Sequence, residues 1–139
     1  MFYTTIIIPV FNHGNLFKRC LESLDIQTQK NFNIVVVDDG SKPPLKNIYE
    51  SFISKLNIEY FFINNTGYPS EPRNYAIKNI HTPYITFLDS DDFFHPNMIE
   101  ELYKKIIEDN NASDLIHTFS YEFLEKDSTV IALNEGKYK

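Results

Sequence analysis

The chain has 139 residues, enough for one compact domain with its own core and short for two. With 42% hydrophobic and 15% aromatic residues it is expected to fold rather than remain disordered. A formal net charge of −6 excludes broad electrostatic attraction to DNA, RNA or anionic lipid, and a single cysteine, Cys20, excludes a disulfide framework or a thiolate zinc site.

The opening MFYTTIIIPVFN lacks a basic leader and Pro9 interrupts its apolar run, so neither a signal peptide nor a spanning helix is expected, while the single cysteine fits a reducing cytoplasm. Within it TIIIPVF (5–11) is β-branched and nearly continuous, which predicts a strand covered on both faces. Asn12 is expected to cap a first helix whose apolar stripe is Leu16, Phe17, Cys20, Leu21 and Leu24. NIVVVDDGS (33–41) predicts a second strand ending in an Asp-Asp-Gly-Ser turn, where Gly40 supplies backbone freedom. Pro43 and Pro44 suit the first turn of a second helix carrying Leu45, Ile48, Phe52 and Leu56.

IEYFFIN (58–64) predicts a third strand, and the turn-rich NTGYPSEP leads into a short helix, RNYAIKNI (73–80), with Ala76 and Ile77 on its apolar face. PYITFLD (83–89) predicts a fourth strand. After Pro96, Met98, Ile99, Leu102, Tyr103 and Ile106 mark another helix, and DLIHTFSYEFL (114–124) a fifth strand.

Strands alternating with helices imply an α/β fold with a mostly parallel sheet and helices on both faces, and such sheets bind ligands at the carboxyl ends of their strands. Those ends are PVFNHGN, DDGS, NNTGYPSEPRN and DSDDFFHP. None carries the Gly-x-Gly-x-x-Gly of a dinucleotide site or the Gly-Lys-Ser/Thr of a P-loop. They carry carboxylates instead. Single aspartates after strands commonly form turns or helix caps, but two acidic clusters at one sheet edge repel each other unless something offsets the charge. Mg²⁺ or Mn²⁺, which bind through one or two carboxylates together with substrate phosphates, would do so.

The stretches TIIIPVFNHGNLFKRCLESLDIQT, IVVVDDGS, PRNYAI and YITFLDSDDFFHPNMIEEL, in this order and over most of the chain, resemble the family 2 glycosyltransferases with the GT-A fold. The resemblance implies a Rossmann-like nucleotide-diphospho-sugar transferase fold over residues 1–139. It also implies inverting, metal-dependent transfer of a hexosyl or N-acetylhexosaminyl group from a donor, a UDP-sugar above all, to a saccharide or lipid-linked acceptor. Carried over by motif, Pro9, Val10, Phe11 and Asn12 lie beside the base and ribose. Asp38 accepts the base imide N–H while Asp39 supports the turn. Arg73 meets a base carbonyl or phosphate. Ser90 and Asp89 sit by the nucleotide, and Asp91, with Asp89, ligates Mn²⁺ or Mg²⁺; Asp92 shapes the turn. The acceptor would be a surface polysaccharide or glycolipid, and action at the inner membrane face, with peripheral association, is the family expectation.

Two departures stand out. Pro72 replaces the alanine that commonly precedes the Arg-Asn pair, and no residue matches the family's catalytic base, which lies in an acceptor-binding portion beyond the fifth strand. The chain is therefore expected to be the donor-binding half, with that portion missing. Glu122, Glu125 and Asp127 are read as a solvated edge. The four histidines lack the paired spacing of a helical metal site; His95 is a further candidate for ligand contact, and Tyr68 and Phe94 are weighed against plain packing. The alternatives are a nucleotide-sugar-binding module without transfer, a receiver-type phosphoacceptor domain, and a haloacid-dehalogenase-type phosphatase suggested by FLDSDD. The last two place their acidic motifs at the wrong strands.

Overall fold

The computed structural model describes residues 3–111 and 115–116, and the strands at 121–126 and 129–135. In chain order the elements are β1 (Thr4–Val10), α1 (Gly14–Asp25), β2 (Phe32–Asp38), α2 (Lys46–Glu50), β3 (Ile58–Phe62), α3 (Ser70–Ile77), β4 (Tyr84–Phe87), α4 (Met98–Glu108), β5 (Tyr121–Lys126) and β6 (Thr129–Glu135). They fall into two compact units, Met1–Glu101 and Leu102–Lys139.

The first unit is built on a four-stranded sheet of order β3-β2-β1-β4, parallel throughout. Parallel neighbours need crossovers, and the helical segments between the strands supply them. Alternation along each strand divides its side chains between two faces. On one face Ile7, Val35 and Val37 pack with Ala76 of α3, and Phe61, Ile63 and Ile80 close the margin. On the other, Ile6, Ile8, Ile34 and Val36 are wholly buried, and α1 buries Phe17, Cys20, Leu21 and Leu24. Each such large side chain contributes about 1.5–3 kcal/mol on leaving water. Both faces are thus apolar, which is why β1 and β2 read as continuous rather than alternating runs.

Several local expectations differ. Asn12 does not cap α1: its φ of +59° is left-handed, and the N-cap position belongs to His13, without a side-chain cap bond. Asn12 instead ties two loops together, its N–H donating to Ser41 Oγ and its Oδ1 accepting from the Lys42 N–H, both at 2.8 Å. Leu16 lies at the solvent side of the α1 stripe, and Ile77 at that of α3; both are exposed. α2 is only five residues long, with Pro43 and Pro44 ahead of it; Leu45, Phe52 and Leu56 are still buried, from the turns on either side.

In the second unit β5 and β6 form a separate antiparallel pair, with an irregularity between Glu122 and Phe123. β5 overlaps the end of the expected fifth strand; residues 114 and 117–120 lie outside the described residues, and β6 was not expected.

Candidate active site at the carboxyl ends of the strands

β2 runs out at two aspartates with different surroundings. Asp38 is wholly buried: its carboxylate accepts from the Ser41 N–H at 2.8 Å, from the Leu45 N–H at 3.1 Å and from the Tyr60 hydroxyl. The Tyr60 hydroxyl is pushed well above its ordinary value, first by burial and then by that bond, so it stays a donor. Asp39 is held from the β3 side, where its carboxylate accepts from the Thr66 N–H at 2.9 Å and from Thr66 Oγ1 at 3.1 Å, while its carbonyl accepts from Asn65 Nδ2 at 2.9 Å. The close approach of this loop requires Gly40, whose φ is +81° and where an added Cβ would stand 2.7 Å from the Asn65 nitrogen.

Above these ends lies a cleft of about 270 Å³. Of the residues expected there, Pro9, Val10, Phe11, Arg73, Asp89, Ser90 and Asp91 line it. Asp38 and Asn12 do not. Asp38 is enclosed by three protein donors and Asn12 is turned to the backbone of Lys42, whereas Asp39, the next residue after Asp38, lines the cleft. His13, Asn65, Gly67, Tyr68, Pro69 and Pro72 complete the wall. Pro72, where the family commonly has alanine, is buried in α3 with no loss of the helix around it.

At the other end of the cleft Arg73 forms an ion pair with Asp89, reaches the Pro69 carbonyl at 3.5 Å and lies 5.8 Å from the centre of the Phe87 ring. Ser90, buried between the two exposed aspartates, places its hydroxyl 3.2 Å from His13 Nδ1. The Asp91 carbonyl accepts from Arg19 at 3.1 Å, and the Asp89 carbonyl takes the Cys20 thiol at 3.8 Å. Burial, followed by the charges of Asp92, Asp91 and Asp89, pushes that thiol up to about 12. The Asp92 carboxyl is also pushed up, first by partial burial of the group and then by Asp91 and Asp89. The aspartates of this loop thus lie close enough to repel one another, with Arg19 and Arg73 offsetting part of that charge.

The carboxylate oxygens of Asp91 and Asp89 are of the donor type that a hard divalent cation takes. Among the described residues no group of three or more His, Cys, Asp or Glu is placed to hold a metal, so such an ion would need oxygens from a bound phosphate. His95 and Phe94 are absent from the cleft wall; the His95 carbonyl instead accepts from Gln27 at 2.7 Å. Glu122 and Glu125 fall on β5, and Asp127 lies outside the described residues.

Residues 5–134 match the family model for glycosyl transferase family 2. The chain belongs to this family. It is 38% identical over 132 residues to an uncharacterized glycosyltransferase of Rickettsia felis, covering 95% of this chain and 21% of that protein. It is 42% identical over 106 residues to the glycosyltransferase GlyA of Streptococcus pneumoniae, covering 75% of this chain and 15% of GlyA. Among solved structures it resembles S. aureus TarS 1–349 in complex with UDP-GlcNAc, with a TM-score of 0.75, 31% identity, and coverage of 79% of this chain and 32% of that one. The GT-A expectation for the parallel sheet and its helices stands on this likeness. The chain thus spans about a fifth or less of the two curated relatives.

Proposed function

We propose that the cleft binds a nucleotide-diphosphate sugar, foremost a UDP-sugar, and that this chain is the donor-binding part of a glycosyltransferase of hexosyl or N-acetylhexosaminyl type. One observation carries the reading: Asp39 just past β2, Arg73 on α3, and Asp89 and Asp91 just past β4 line one cleft. The TarS structure with UDP-GlcNAc supports the choice of nucleotide. Asp39, an acceptor on the β2 side, suits the imide N–H of uracil, with Pro9, Val10 and Phe11 beside the base and ribose. Arg73 offers a planar fork of donors to a phosphate. Asp91 and Asp89 would hold Mn²⁺ or Mg²⁺, which when bound offsets charge on the departing nucleoside diphosphate. Transfer would invert the sugar carbon and serve a saccharide or lipid-linked acceptor, at the cytoplasmic face of a membrane.

A second reading, a binding module without transfer, is favoured by one feature. The acids lining the cleft among the described residues are Asp39, Asp89 and Asp91, and the first reading already uses all three, leaving none to deprotonate an acceptor. Release of UDP from a UDP-sugar in the presence of acceptor separates the two.

Thermal stability measured with UDP, GDP or no nucleotide, each with and without Mn²⁺, tests the donor site itself. A ligand at a hundred times its dissociation constant adds about 2.7 kcal/mol of stability. Absence of a shift with every nucleotide and metal would sink the reading.

A further inference from the structure

We propose that His13 contacts the phosphate end of the bound nucleotide directly, a role that rests on the donor-site reading above. Because β1 lies between β2 and β4 in the sheet, the residues that follow it stand between the Asp39 wall and the Asp89–Asp91 loop. His13, three residues past the end of β1, lines the cleft. Its Nδ1 is 3.2 Å from the hydroxyl of Ser90, which is only 4% exposed and so holds the ring from a fixed position. This tie assigns the ring to the end of the cleft where Arg73, Asp89 and Asp91 gather, away from the end where Thr66 grips Asp39.

Ring chemistry agrees with that placement. When Ser90 donates to Nδ1, the neutral ring carries its hydrogen on Nε2, and a protonated ring donates from both nitrogens. In either of these forms the edge not engaged by Ser90 is a donor, which suits a phosphate oxygen; the opposite tautomer, with Nδ1–H donating to Ser90, leaves Nε2 an acceptor, and a phosphate oxygen at that edge selects the donor form. His13 also occupies the N-cap position of the twelve-residue α1, which has no side-chain cap, so the partial positive charge of that helix end adds to the attraction.

The test compares uridine with UDP, both in diamagnetic Mg²⁺, by ligand-observed NMR titration of the wild-type chain, His13→Ala and His13→Gln, with melting temperatures recorded alongside. A phosphate contact predicts that His13→Ala weakens UDP by about tenfold and uridine by less than about twofold. His13→Gln, which keeps a side-chain donor, should recover part of the loss, and all three chains should melt alike. Unchanged UDP affinity in His13→Ala overturns the inference, as does equal weakening of uridine and UDP. A wild-type chain that binds UDP while His13→Ala matches it removes only this inference; a wild-type chain that binds neither removes the donor-site reading and this one with it.

Discussion

Asp38 and Asp39 are neighbours in the chain with opposite tasks: Asp38 turns inward to fasten the start of the α2 segment and Tyr60, and Asp39 lines the cleft against Thr66. The two carboxylates together fix the loop on which the base would rest.

Substitution should separate the two tasks. Asp38→Asn puts an amide where three donors converge and is expected to lower unfolding stability by about 2–3 kcal/mol. Asp39→Asn should cost less stability and instead weaken UDP by about tenfold. Urea unfolding and titration calorimetry on both variants check this; equal stability losses with equal binding losses would contradict it.

Gly40→Ala is expected to lower stability by about 1–3 kcal/mol, since it combines a left-handed φ of +81° with a Cβ 2.7 Å from the Asn65 backbone nitrogen. As the displaced loop also grips Asp39, nucleotide affinity should fall with it.

Asp91→Asn removes a charge and nearly keeps the shape. It should abolish the enhancement of UDP binding by Mn²⁺ while leaving the melting temperature of the ligand-free chain unchanged or raised, because Asp92 and Asp89 lose a like-charged neighbour. Calorimetric titrations with and without Mn²⁺ read this directly. If Mn²⁺ still strengthens binding in the variant, the metal role lies elsewhere.

Cys20 gives a pH dependence of definite sign. Its thiol keeps its proton in the fold until about 12, whereas an unfolded chain releases it near 9.0. Between those values the unfolded state binds fewer protons, so stability should fall as pH rises through this window. Tyr60, also raised, adds to the same slope. In Cys20→Ala the slope should be shallower than in the wild type, as followed by urea midpoints from pH 8 to 11. The same burial predicts that native Cys20 resists alkylation at pH 8 and reacts on unfolding.

The parallel sheet was legible because β1 and β2 are buried on both faces and so print an uninterrupted apolar run into the sequence. The sharing of work between Asp38 and Asp39 was not, because adjacent residues at a strand end point to opposite sides, and which side faces the cleft depends on where Thr66 and Tyr60 arrive from β3. Asn12 looked like a cap by residue type; asparagine is also among the few residues that tolerate a left-handed φ, and the loop to Ser41 and Lys42 used that property instead. His13 carried a weak signal, a histidine between the first strand and the first helix, but only its bond to Ser90, 77 positions away, gives it a place. Leu16 and Ile77 show the limit of periodicity, which marks a face without marking its edge.

The most direct test of the central claim is a crystal structure of this chain soaked with UDP and Mn²⁺. The account predicts the uracil ring against Asp39 and Phe11, the diphosphate between Arg73 and His13, and the metal on Asp91. Nucleotide bound elsewhere, or in the cleft with its phosphates toward Asp39, would contradict it.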